Sequence, residues 1–226
     1  EDILSAIEAN KNSLAVVCLS GVQYYSGQYF DIATITTASR RAGAYSIWDL
    51  AHAVGNVDLA LHEWGVDGAA WCSYKYLNSG AGGVGGLFLH QRHHHRNSGP
   101  EKQPYLKGES KLNASAFLSG FMLAGWWGHL ESTRFEMTNE WEPETGAAAM
   151  RLSNVPMLAA AAMMGSLGVF NKTSMTQLRT KSILLTGLLQ REVNKLTGKG
   201  AEMIFRIITP FDPRERGAQL SLKFEV

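Results

Sequence analysis

The chain has 226 residues, 21 Lys+Arg against 20 Asp+Glu, a formal net charge of +1, and 45% hydrophobic against 18% charged residues. That length fits one large domain or two small ones, and the balance is that of a packed globular protein, which argues against intrinsic disorder. So small a charge supplies no field to hold nucleic acid or an anionic membrane, and no apolar run approaches the roughly 18 residues of a spanning helix.

The chain begins at Glu1 in a helix-like segment, Asp2–Asn10, and stops at Val226 inside a strand-like run, Gln219–Val226, which reads as a piece of a longer protein. Leu14–Leu19 is a continuous apolar run with β-branched residues and predicts a strand buried on both faces. A polar, aromatic loop follows, Ser20–Tyr29. Asp31 then caps a helix expected over Ile32–Ala42 and ended by Gly43. Ala44–Asp49 is the second strand, followed by a polar turn with His52 and Asn56 and a short helix from about Val57 to Trp64. Asp67–Cys72 and Gly83–Leu89 are the third and fourth strands. His90–Gly120, with its histidine cluster and mixed polar composition, reads as an exposed loop or insertion.

Helical periodicity returns at Pro156–Val169 and at Met175–Lys195, the latter with Leu178, Ile183, Leu184, Leu185, Leu188 and Leu189 on or near one face. Ile204–Thr209 and Gln219–Val226 look like strands of a smaller second domain. Strands alternating with helices predict an α/β fold, a mostly parallel sheet flanked by helices over residues 1–155. Connecting helices and the start of a smaller α+β C-terminal domain follow over 156–226. Cys18 and Cys72 sit in strand-like runs with no CxxC pair, which disfavours disulfide scaffolds and zinc ribbons and fits a reducing compartment, the cytoplasm. His93–His95 are adjacent in a polar loop and point in different directions, with no further ligand at a suitable spacing, so no metal site is expected.

Three polar residues lie just past strand ends. Asp49 and His52 follow the second strand and Lys75 the third. Ligands of open α/β sheets bind beyond the carboxyl ends of the strands. A lysine there can form a Schiff base with a cofactor carbonyl, and a carboxylate can keep the pyridine nitrogen of pyridoxal phosphate protonated, which an Asn could not do. His52 could orient the Asp or contact the ring. Ser73, Ser79, Gly80, Gly82 and Gly83 leave room for a bulky group. Against this, an Asp-x-x-His after a strand commonly serves only as a turn or helix cap.

GVQYYSGQYF, WDLAHAVGN, WGVD, WCSYKYLNSGAGG, GWWGH, STRF and RLSNVP, in this order, resemble kynureninase. The resemblance covers Ala15–Phe170 apart from the His90–Gly120 region, and continues more weakly through ITP and ERGAQLSLKF. It implies a fold-type-I pyridoxal-phosphate enzyme that hydrolyses L-kynurenine or 3-hydroxy-L-kynurenine to anthranilate or 3-hydroxyanthranilate plus L-alanine. Carried over by motif, Lys75 is the Schiff-base lysine, Asp49 the partner of the pyridine nitrogen and His52 a cofactor-contacting histidine. Tyr74 touches the cofactor phosphate and is the candidate proton donor at Cβ, while Ser20 lies near the cofactor. Trp126 and Asn154 are further binding positions that reach in from a neighbouring subunit, which implies a homodimer. Tyr25 and His129 are candidates for the substrate pocket. Asn154 could instead cap the following helix, and Ser20 could serve only its turn.

The family pattern also departs from this chain. Its N-terminal phosphate site and stacking aromatic, and its C-terminal carboxylate-binding arginine, have no match here. The His90–Gly120 region carries roughly twenty residues more than motif spacing expects. Competing expectations are another fold-type-I enzyme, such as a cysteine desulfurase or an aminotransferase, and an inactive fragment. Desulfurases place His directly before the lysine, where this sequence has Tyr74.

Overall fold

The computed structural model describes residues 2–94, 125–137, 139, 141–197 and 205–224. Its centre is a four-stranded sheet in the order β1 (Val16–Ser20), β2 (Tyr45–Asp49), β3 (Gly68–Cys72), β4 (Gly85–Leu89). β1, β2 and β3 run parallel, and β4 closes the sheet antiparallel to β3. Helices α1 (Asp2–Asn10) and α2 (Ile32–Arg41) contribute to the core. The expected α/β architecture with a mostly parallel sheet is therefore present.

Alternation along each strand sorts the side chains. Leu19, Trp48, Ala69 and Phe88 are aligned across all four strands and pack into one core with Ile7 of α1 and Ile32 and Ile35 of α2. Trp48 is 1% exposed, and its indole N–H donates to Thr36 Oγ1 of α2 at 3.1 Å, so the largest buried side chain also fixes the helix on the sheet. Asp31 starts α2 as expected, accepting the Thr34 backbone N–H at 3.0 Å, and Arg40 and Arg41 sit in the last turn, where cations suit the helix dipole.

Two expectations are corrected here. β1 is not buried on both faces: Val17 and Leu19 meet the core, but Val16 and Cys18 are exposed, because no described element packs on that side. The helix expected over Val57–Trp64 is absent. Two separate turns, Ala51–Asn56 and Leu61–Gly65, flank an extended stretch, and Val57, Leu59 and Leu61 all reach the core at a spacing of two, the period of extended chain.

The start of the polar run after β4 is also anchored rather than exposed. Gln91–His93 forms a 3-10 turn, His93 is buried, and its Nε2 lies 2.6 Å from Asp67 Oδ1. Arg92 Nε donates to the same oxygen at 3.1 Å, and the Ser46 backbone N–H donates to Asp67 Oδ2 at 2.8 Å. Asp67 thereby joins the starts of β2 and β3 to the turn beyond β4. His95 and most of the expected insertion lie outside the described residues.

Helices α3 (Met157–Phe170) and α4 (Met175–Thr197) follow, and β5 (Phe205–Ile207) pairs antiparallel with β6 (Leu222–Phe224). Leu184, Leu185, Leu188 and Leu189 of α4 are exposed. Residues 215–219 cross the loop after β1 and the turn after β2. Tyr29 N–H donates to Glu215 O at 2.8 Å, Gln28 bridges Arg216, and Ala218 N–H donates to Asn56 Oδ1 at 3.0 Å. Arg179 of α4 holds the same segment by donating to the Pro213 and Arg216 carbonyls, each at 2.6 Å. Among the described residues no helix is long and apolar enough to cross a membrane.

Candidate active site

β1, β2 and β3 end on the same edge, and the polar residues collect there. Ser20 and Asp49, the last residues of β1 and β2, are direct partners in the register and so point to the same face of the sheet. Asp49 is exposed; its Oδ1 accepts the Ala51 N–H at 2.8 Å, which starts the turn carrying His52. Ala53 N–H and Val54 N–H both return to Leu50 O, and Gly55, with φ of 81°, ends the turn. A Cβ at Gly55 would stand 2.7 Å from the Tyr76 carbonyl oxygen, so the bare backbone permits this turn to lie against the lysine loop.

That loop leaves β3 at Ser73. Ser79 N–H donates to Ser73 O at 3.1 Å, Asn78 N–H to Lys75 O at 3.0 Å, and the buried hydroxyls of Ser73 and Ser79 bond at 2.6 Å. These bonds hold Lys75 half-buried, its Nζ 3.4 Å from His52 Nδ1 and 5.6 Å from the centre of the Tyr74 ring. Tyr24 and Tyr76 flank the imidazole, with ring centres 6.4 and 6.3 Å away. Burial, and after it the charge of Lys75, pull the His52 pKa below its ordinary 6.5, which favours the neutral ring beside the lysine. Burial pushes the Tyr76 phenol up, which keeps its hydroxyl protonated.

Lys75 and His52 open onto a cavity of about 580 Å³. Its other walls are Gly55, Tyr76 and Asn78 from the two loops, Phe170, Leu178 and Ser182 from the helical segment, and Gln219 from the crossing segment. Sequence reasoning missed Tyr76, Ser182 and Gln219 as walls. Gln219 had a signal, since it stands in the ERGAQL block; Ser182 had none.

The remaining expected residues are not gathered into this cavity. Tyr74 and Tyr25 are exposed and do not line it. Trp126 donates its indole N–H to Arg134 O at 3.0 Å, packs edge-on against Phe135 and is 51% exposed, while Trp127 lies under the Arg134 guanidinium at 4.6 Å. His129 is buried and its Nε2 pairs with Thr133 Oγ1 at 3.1 Å, so it braces its own loop. Asn154 is exposed, and α3 is capped at Pro156 with no side-chain bond, so the alternative of Asn154 as the helix cap is not realised.

Comparison with known proteins gives this geometry a context. The model for class-V aminotransferases matches residues 2–109. Kynureninase 1 of Aspergillus terreus is 48% identical over 227 residues, covering 99% of this chain and 44% of the relative. The kynureninases of Nematostella vectensis and Homo sapiens are 45% and 44% identical, each over 100% of this chain and 46% and 45% of their own lengths. By sequence the chain is similar to kynureninases over nearly its whole length. It spans less than half the length of these kynureninases. Solved structures share the fold at low identity. The Escherichia coli cysteine desulfurase CsdA has a TM-score of 0.67 at 15% identity, over 99% of this chain and 46% of that one. A C-DES variant with glycine covalently linked to its PLP cofactor has a TM-score of 0.65 at 16% identity, over 97% and 51%. The fold is thus that of the fold-type-I pyridoxal-phosphate enzymes, within which the kynureninase sequence blocks sit on the loops just described.

Proposed function

We propose that the complete protein is a pyridoxal-phosphate-dependent kynureninase, hydrolysing L-kynurenine or 3-hydroxy-L-kynurenine to anthranilate or 3-hydroxyanthranilate and L-alanine, with Lys75 as the residue that carries the cofactor. The observation that bears most weight is the Lys75–His52 pair, 3.4 Å apart in the lining of a cavity, on loops that follow the ends of parallel strands. The residues fit the group. The cavity has the volume of a small-molecule site, Lys75 is part of its lining, and a carboxylate, Asp49, engaged only by the Ala51 N–H among the described residues, ends the neighbouring strand.

Bound there, pyridoxal phosphate supplies the electron sink for cleavage beside the aryl ketone. Lys75 would hold the cofactor through its amine, and the same amine is the candidate base at the substrate Cα. Neutral His52 accepts from that amine and limits its rotation. Asp49 offers the negative charge that keeps a pyridine nitrogen protonated. Ser20 and Tyr74 offer hydroxyls toward the phosphate side, and Tyr74 is the candidate to deliver a proton to Cβ. Trp126 and Asn154 act from the opposite subunit of a homodimer, a role in keeping with their exposure outside the cavity. The division into a cofactor domain over 1–155 and a partial small domain over 156–226 belongs to the same reading, as does a cytoplasmic location, which suits the two free thiols.

The test is borohydride reduction of the full-length protein incubated with pyridoxal phosphate, followed by peptide mass spectrometry. Pyridoxyl label on Lys75, lost in Lys75→Ala together with turnover of kynurenine, is the expected result. Label elsewhere, or cysteine consumed in preference to kynurenine, refutes it.

A further inference from the structure

Asn56 belongs to the DLAHAVGN block, yet nothing in the reaction outlined above uses it. It is 4% exposed, and both ends of its carboxamide are engaged. Nδ2 donates to the His52 carbonyl at 2.8 Å, and Oδ1 accepts the backbone N–H of Ala218 at 3.0 Å, from 162 residues further along the chain. Gly217 permits the approach, since a Cβ at that position would collide with the Asn56 carboxamide. The neighbouring Gln219 donates to Tyr24 O at 2.8 Å and lines the same cavity as His52 and Lys75.

We propose that Asn56 is a positioning residue for the lysine site: its carboxamide fixes the backbone of His52, and through it the imidazole beside Lys75, to the crossing segment at Gly217–Ala218. This rests on the reading of Lys75 as the cofactor lysine. The physical ground is that a short turn containing a glycine cannot by itself hold a ring within hydrogen-bond distance of a flexible lysine. A buried amide bonded at both ends supplies that restraint, because each bond it would lose leaves a polar group without water. The groups facing the imidazole are Lys75 Nζ, the Tyr24 and Tyr76 rings, and the more distant Asp49 carboxylate.

The experiment compares wild type, Asn56→Ala and Gly217→Ala in the full-length protein. Gly217→Ala presses on the carboxamide from the other side of the chain and carries the test should Asn56→Ala fail to fold. Selective labelling of histidine Cε1 gives the His52 titration midpoint by NMR in cofactor-free protein; thermal denaturation reports stability, and kcat and KM are measured separately. Freed from its place, the imidazole gains water and moves away from Lys75. Its midpoint is therefore expected to rise toward that of an ordinary histidine in both variants, with kcat lowered about tenfold and KM little changed. A lowered melting temperature with an unmoved His52 midpoint means that Asn56 only braces the fold, and overturns the proposal. Borohydride labelling of the wild type separates the two levels: an unlabelled Lys75 overturns the cofactor reading and this inference with it, whereas a labelled Lys75 with an unmoved midpoint overturns this inference alone.

Discussion

Asp67→Asn is expected to destabilise the protein at neutral pH by about 2 kcal/mol or more. The Asp67 carboxylate is 3% exposed, and burial by itself raises its pKa. The bonds from His93, the Ser46 N–H and Arg92 more than reverse that, bringing it from 3.8 down to about 2. At about 1.4 kcal/mol per pH unit, that fall is worth about 2 kcal/mol to the folded state. Because folding lowers this pKa, the stabilisation is fully present above the unfolded value near 4 and is lost as the pH falls toward about 2. An Asn keeps an acceptor for Ser46 but removes the charge beside Arg92 and His93, so the loss grows toward about 3–5 kcal/mol, the range for breaking a buried ion pair. Urea denaturation of the two full-length proteins at pH 7 measures the difference. A parallel series down to pH 2 should show the wild type losing stability across that window and the variant losing less. A difference under about 0.5 kcal/mol at pH 7, or superimposable acid limbs, would refute the reasoning.

Gly55→Ala should destabilise by about 1–3 kcal/mol, since an L side chain at φ of 81° is strained and its Cβ would stand 2.7 Å from Tyr76 O; thermal melts and weaker retention of pyridoxal phosphate on gel filtration check it. Thr36→Val conserves shape but leaves the buried Trp48 indole N–H without its acceptor, for an expected loss of about 1–3 kcal/mol; an unchanged urea midpoint would show that the bond is replaced.

Local chemistry made much of the sheet readable. Apolar runs gave all four strands to within two residues at either end, Asp31 marked the start of α2, and the long periodic segments became α3 and α4. Reading failed where the pattern was short. Val57–Trp64 offered apolar residues compatible with either period, and the core took them in extended form. It failed also for burial. The composition of β1 suits a strand covered on both sides, but burial depends on what stands opposite, and no described element covers Val16 and Cys18.

The same division runs through the site. The residues around Lys75 and His52 carry enough sequence to name a family, because the chemistry of the lysine and its neighbours restricts residue type along contiguous loops. His93 looked like part of a solvated cluster until the fold set it against Asp67, 26 residues away. Asn56 and Ala218 stand 162 residues apart, and Ser182 and Gln219 line the cavity from segments far along the chain from Lys75. The amino-acid sequence alone determined where the strands of the sheet lie, which loops bear the reactive amine and imidazole, and the family they resemble, since these depend on neighbours in the chain. Tertiary structure alone decided which sheet face stays open, which ion is buried and which distant amide steadies His52, because such contacts arise only when packing brings separate segments within a hydrogen bond's length.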